Sequence, residues 1–151
     1  MKLSARNATH SDSELLLAWR NNSGTRAQSR ETRGVTQEEH LRWLESVLGS
    51  RDRQLFLVEK GDGTPIGSVR FDGQGGNVFE VSITIGPLHR GRGSGASVLL
   101  CAESFLTRSF STAYIRAFIK PSNVASVRLF ESAHYIPEYD RWWSKRLGTN
   151  D

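Results

Sequence analysis

Apolar and polar residues alternate strictly over residues 78–85. Phe79, Val81, Ile83 and Ile85 fall on one side and Glu80, Ser82 and Thr84 on the other, the period of a half-buried strand. Further on the period changes: Leu99, Ala102, Phe105 and Leu106 recur at the spacing of one helix face, predicting a helix over 93–109. Between the two runs lies a glycine-spaced turn, Gly86-Pro87-Leu88-His89-Arg90-Gly91-Arg92-Gly93-Ser94-Gly95-Ala96. Residues 113–119 are apolar enough for an inner strand, broken by Lys120-Pro121-Ser122, and 123–132 read as a short helix with Val124, Val127 and Phe130 inward.

The same reading extends to both ends. Residues 2–7 suit an edge strand. His10 to Ser13 offer an N-cap for a helix over 14–21, whose apolar face is Leu15, Leu16 and Trp19, and which stops at Asn22-Ser23-Gly24. Residues 25–35 are polar, lack a period and read as a loop. Thr36 and Glu39 form a capping box for a helix carrying Leu41, Leu44, Val47 and Leu48 and ending at Gly49. Residues 54–60 and 65–72 read as strands joined by Gly61-Asp62-Gly63-Thr64, and a second glycine-rich turn at 72–76 leads into 78–85. The tail, 135–147, suits two short strands.

The order is β-α-α-β-β-β-α-β-α-β-β. A helical crossover from 78–85 to 113–119 makes those strands parallel; the remaining pairs are antiparallel. The expectation is an α/β (α+β) fold in one domain over 1–151, with a mixed, mostly antiparallel sheet, a central parallel pair and four helices. A chain of 151 residues can bury one ordinary core. The formal net charge of +4 comes without a run of consecutive Lys or Arg, so a basic tail is absent; the excess suits a small polyanionic ligand as well as it suits nucleic acid. The single cysteine, Cys101, excludes an internal disulfide, points to a reducing compartment, and sits where a small buried hydrophobe is expected. With no membrane-length apolar run and no signal-peptide core, the expected location is cytoplasmic, with no membrane partner.

The turn is where chemistry concentrates. Glycines let backbone approach a ligand closely, and a helix N-terminus presents unpaired N–H groups to an anion. A Walker loop would need Gly-Lys-Ser/Thr, which the chain lacks. Gly91-x-Gly93-x-x-Ala96 fits a dinucleotide turn, but no Asp or Glu follows between Ser104 and Phe130 to take a ribose. Arg90-x-x-Gly93-x-Gly95 fits a third pattern. It resembles the Q/R-x-x-G-x-G/A signature of the GNAT family of N-acetyltransferases, whose element order also matches nearly the whole chain.

The resemblance implies that Arg90, Gly91, Arg92, Gly93, Ser94, Gly95 and Ala96 hold the pyrophosphate of acetyl-CoA. It also implies that Ile83, Thr84 and Ile85 meet the pantetheine arm and polarise the acetyl carbonyl through backbone groups. Glu80, a lone carboxylate on the wet face of the strand, is the candidate general base. Asn123-Val124-Ala125-Ser126 is similar to the family's N-x-x-S/A segment, placing Asn123 and Ser126 at the cofactor; Asn123 also stands where an N-cap is expected. In Leu129-Phe130-Glu131-Ser132-Ala133-His134-Tyr135, Phe130 occupies the position of the family's proton-donating Tyr and has no proton to give.

Trp19-Arg20-Asn21 and Glu39-His40-Leu41-Arg42-Trp43 look like a subgroup that acetylates amino-sugar nucleotides, as on the way to pseudaminic acid. That makes Trp19, Arg20, Asn21, His40 and Trp43 candidate acceptor contacts, with Arg20 and Arg26 for phosphate. The expectation is therefore an acetyl-CoA-dependent N-acetyltransferase acting on a small-molecule primary amine by direct attack, without a metal and without nucleic acid. Trp142 and Trp143 suit a homodimer surface. Two alternatives are a protein N-terminal acetyltransferase of the ribosomal-protein type and a non-catalytic acyl-CoA-binding module.

Overall fold

The computed structural model describes residues 2–22, 25–26 and 33–148. Its strands are β1 (Leu3–Asn7), β2 (Arg53–Lys60), β3 (Pro65–Gly73), β4 (Val78–Ile85), β5 (Ala113–Phe118), β6 (Ile136–Tyr139) and β7 (Trp142–Leu147). They form one seven-stranded sheet in the order β1-β2-β3-β4-β5-β7-β6. The pairs are antiparallel except β4 with β5, so the mixed sheet and its parallel pair are as the crossover required. Among the described residues the four α-helices of nine residues or more are α1 (Ser13–Asn21), α2 (Gln37–Leu48), α3 (Gly95–Leu106) and α4 (Val124–Ser132). Among the described residues no helix is long and apolar enough to cross a membrane.

The helices divide between the two faces. In β2, Leu55 and Leu57 join Leu16, Trp19, Leu44 and Val47 under α1 and α2, while Phe56 and Val58 join Val98, Leu99, Ala102 and Leu106 of α3 on the other side. Covered on both faces, β2 is continuously apolar rather than alternating. The α1–α2 layer packs on β2 and reaches the end of β4 through Trp19, which lies against Gly86. The wet face of β3 and β4, with Ser68, Arg70, Glu80, Ser82 and Thr84, lines a cleft beneath that layer.

Two inward positions expected from spacing are instead exposed. Leu41 is 38% exposed, because the buried stripe of α2 runs through His40, Leu44 and Val47, and a residue one step off that stripe is turned by roughly 100°. Val124 is 55% exposed: steps of three residues fall short of a full turn, so it lies about 120° around α4 from Phe130. Residues 93–94 and 107–109 lie outside α3. Within the segment read as a loop, Thr25 and Arg26 take helical backbone, and residues 27–32 lie outside the described residues.

The Thr36 hydroxyl accepts from the Glu39 backbone N–H and the Glu39 carboxylate accepts from the Thr36 backbone N–H, each at 3.1 Å, closing the expected capping box of α2. The start of α1 is built differently. Asp12 accepts from the Thr9 backbone N–H at 2.8 Å and takes a bidentate bond from Arg6 at 2.8 and 2.9 Å, tying β1 to the helix entry. Arg6 holds the Asp12 carboxyl below the ordinary carboxylate range. Asp12→Asn is expected to cost about 1–2 kcal/mol, since Arg6 is partly exposed and screened. With a depressed folded pKa, this contribution is complete above the unfolded value of 3.8 and disappears as pH falls through the folded one. Urea melts of the two proteins should therefore differ at pH 7 and converge in acid; an equal gap at both would remove the ion pair as the cause.

Candidate active site

One cleft of about 1240 Å³ runs between the α1–α2 layer and the end of β4. It is lined by Glu80, Ile83, Thr84, Ile85, Arg90, Gly91, Gly93, Ser94, Gly95, Ala96, Asn123, Ser126, Phe130, Trp19, Arg20, His40 and Trp43. Residues far apart in sequence and chosen for different roles thus meet in one place. Arg92 and Asn21 are not on its wall. Asn21 spends both ends of its amide on Val35, donating to its carbonyl and accepting from its N–H, each at 2.8 Å. Its work is to position the segment that enters α2. Arg26 also stands back from the wall.

The parallel strands explain the opening. β4 pairs with β5 only at Val78, Glu80 and the residue between them, opposite Tyr114 to Arg116. Beyond Glu80, β4 continues to Ile85 with β3 alone as its recorded partner, Ile83 opposite Val69 and Ile85 opposite Gly67. On the side toward β5, the backbone of 81–85 faces the cleft, where an amide-bearing chain can bond to it as a strand would. β4 ends in the glycine turn. Gly91 and Gly93 have φ of 72° and 71°, in the left-handed region that glycine enters at no steric cost. Ser94, the N-cap of α3, does not cap: its hydroxyl leans toward the His89 carbonyl at 3.4 Å, leaving the first-turn N–H groups of α3 directed at the cleft.

Three expected cofactor residues carry structural duties as well. Gly95 packs against α4, where a Cβ would strike the Leu129 side chain. Asn123 caps α4, accepting from the Ser126 N–H at 3.0 Å and donating to the Ser126 hydroxyl at 2.7 Å. Arg90 donates to the Ile85 carbonyl at 3.1 Å, to Asn22 at 3.2 Å and to the Thr25 hydroxyl, joining the glycine turn to the segment after α1. Burial lowers its pKa, yet an arginine remains charged.

A match to the family model described as acetyltransferase (GNAT) domain covers residues 2–136. The chain belongs to the GNAT acetyltransferases. Three solved structures share the fold at low identity. A spermidine N-acetyltransferase from Vibrio cholerae, solved with CoA and spermine, has a TM-score of 0.76 and 19% identity over 95% of this chain and 92% of its own. An aminoglycoside acetyltransferase solved with coenzyme A has 0.80 and 17% over 95% and 94%. A phosphinothricin acetyltransferase from Sinorhizobium meliloti, solved with acetyl-CoA, has 0.76 and 16% over 98% and 90%. No curated protein matches the chain.

As a GNAT enzyme the protein is an acetyl-CoA-dependent N-acetyltransferase, and its departures from the family pattern can be read in place. Phe130 is buried, with its ring edge-on to Tyr135 at 4.9 Å. Tyr135 cannot take over proton donation. It is buried, its hydroxyl donates to Glu103 at 2.7 Å, and burial together with that carboxylate pushes its pKa far up. Glu103 is shared with Lys145 at 2.7 Å, an arrangement that joins α3 to β7 behind the core. Cys101 is half-buried and burial raises its thiol pKa, the opposite of an activated nucleophile.

Several lining residues escaped the sequence reading. Arg70 and Ser68 lie opposite Ser82 and Thr84 in the β3–β4 register, and alternation along β3 could have put them on the wet face. Arg33, Lys120 and Arg128 also line the cleft, and nothing local in the sequence marks them. Trp19 packs so closely on Gly86 that a Cβ there would lie 3.0 Å from the indole. Gly86→Ala is expected to cost about 1–2 kcal/mol by overpacking and to raise the acceptor KM, as the indole that lines the cleft is displaced. Chemical denaturation and steady-state kinetics check the two effects separately.

Proposed function

We propose that the protein transfers the acetyl group of acetyl-CoA to a primary amine by direct attack in a ternary complex, with an amino-sugar nucleotide as acceptor. The observation that carries this reading is the open edge of β4, which brings Glu80, the backbone of 83–85 and the glycine turn along one wall of one cleft. The glycine turn and the first turn of α3 hold the pyrophosphate, and the β4 backbone holds the pantetheine arm and donates to the developing oxyanion. The neutral amine forms a bond to the acetyl carbon and the C–S bond breaks. Glu80, through a water, accepts the proton the nitrogen loses, and the CoA thiolate takes its proton from solvent, since neither Phe130 nor Tyr135 supplies one. Spermine, an aminoglycoside and phosphinothricin, named with the structural relatives, are amine-bearing small molecules, which supports an acceptor of that kind. The reducing setting suggested by the single cysteine supports a cytoplasmic reaction, and Trp142 with Trp143 a homodimer.

The test is thiol release from acetyl-CoA against a panel of primary amines, including UDP-linked amino sugars and a peptide with a free N-terminus. Turnover is expected with a small amine, with the amino-sugar nucleotide best. Turnover of the peptide alone would move the assignment to a protein acetyltransferase. Acetyl-CoA binding without thiol release from any amine would leave a binding module, the reading Phe130 favours.

A further inference from the structure

Arg70 is held from three sides. Its Nε donates to both oxygens of Asp72 at 3.0 and 3.1 Å, and its Nη2 leans on the Ser82 hydroxyl at 3.5 Å. Its guanidinium sits over the Trp43 ring, 5.4 Å from the centroid. Arg53 backs the same Asp72 carboxylate at 3.8 Å. Arg70, Ser82 and Trp43 line the cleft, whereas Asp72 is off its wall. The anchor of the guanidinium therefore lies outside the cleft. Its Nη1 carries no bond among the described residues and keeps accessible surface.

The strand register fixes where this donor stands. Arg70 is opposite Ser82, and Asp72 is opposite Glu80. Ser82 and Glu80 share the wet face of β4 two residues apart, roughly 7 Å. One substituted six-membered ring bridges such a span. An arginine fixed in this way has already lost rotamer freedom, so a further bond to a ligand costs little ordering. Asp72 offsets its charge at contact distance, which leaves directional N–H donors rather than a net cation as what it offers. The Ser82 hydroxyl beside it accepts as well as donates. A donor next to a hydroxyl complements a group that itself accepts and donates, and that group is an alcohol. Its oxygen takes the Arg70 N–H and its proton goes to the Ser82 oxygen. A methylene in the same place would displace water from the guanidinium and return no bond.

We propose that Arg70 is a specificity-determining residue for the acceptor: with Ser82 it binds a hydroxyl group of the amine while the amino group faces Glu80, and Asp72 and Trp43 are its positioning residues. The acceptor class is a hydroxylated amine. This rests on the reading of the cleft as an acyl-transfer site and names the residues that select within it.

The experiment is calorimetry on the CoA-loaded protein with cyclohexylamine, the isomeric aminocyclohexanols and 4-aminocyclohexanecarboxylate. At least one aminocyclohexanol should bind about tenfold more tightly than cyclohexylamine, the scale of one hydrogen bond to a charged group. Arg70→Met, which keeps an apolar chain on Trp43, should bring that ratio to about one. Comparing the ratio between the two proteins cancels the difference in basicity between the probes. Asp72→Asn should lower the ratio part-way, because it loosens the guanidinium and spares its donors. Where circular dichroism shows Arg70→Met unfolded, Ser82→Ala at an exposed position carries the same test, with the ratio reduced severalfold. Equal binding of cyclohexylamine and every aminocyclohexanol, tightest binding of the carboxylate, or no binding of any probe overturns the proposal. So does an equal loss for both kinds of amine in Arg70→Met, which marks a merely structural residue. Thiol release from acetyl-CoA, followed on the same probes, reports on catalysis separately. Arg70-dependent hydroxyl selectivity without release from any amine would sink the acyl-transfer reading alone, and release without hydroxyl preference would sink the Arg70 inference alone.

Discussion

Glu80→Gln is expected to lower kcat by about a hundredfold or more at neutral pH, the scale of a lost general base, and to leave the Kd for acetyl-CoA nearly unchanged. The amide is isosteric but cannot accept the amine proton, and Glu80 lies at the last paired position of β4 with β5, before the backbone stretch assigned to the cofactor. In the variant the proton has to leave to solvent, so its rate should climb with pH more steeply than that of the wild type. Pre-steady-state thiol release with saturating acceptor measures the step directly. A variant with wild-type kcat would remove Glu80 from the chemistry; one with weakened acetyl-CoA binding would recast it as a structural residue.

The second large effect is expected in the glycine turn. The double substitution Gly91→Val and Gly93→Val puts β-branched residues at two left-handed positions, each costing roughly 1–2 kcal/mol. Nothing lies within 4 Å of a Cβ at either glycine, so the penalty is conformational rather than a clash. The turn can relax by abandoning positive φ, which swings its N–H groups away from the cleft. The KM for acetyl-CoA should rise about thirtyfold, equivalent to roughly 2 kcal/mol, with a smaller change in kcat. Circular dichroism separates this from unfolding: native-like spectra with a raised KM support the cradle, whereas an unchanged KM would leave the turn without a cofactor role.

Much of the cleft is legible in the sequence. Alternation over 78–85 placed Glu80 opposite Phe79 and Val81 because a strand has period two and one face must be buried. The crossover helix set the parallel pair, since a strand joined by a helix to its neighbour in a sheet returns parallel to it. The glycines before α3 mark a turn that needs positive φ, and the structure has it at Gly91 and Gly93. Helix spacing alone misplaces Leu41 and Val124, and it carries no sign that a polar side chain is used locally, as Asn21 is on Val35.

Local pattern therefore determined the elements, their order, the parallel pair and the glycine turn, because these follow from periodicity and backbone sterics within a few residues. Tertiary structure alone decided that β4 and β5 pair for three residues and no further, that Arg90 holds the segment after α1, and that Arg20, Arg33, His40 and Arg70 share a wall with Glu80. Charge balance in a cleft is a sum over side chains from separate elements. It exists only once α1 and α2 lie across the sheet.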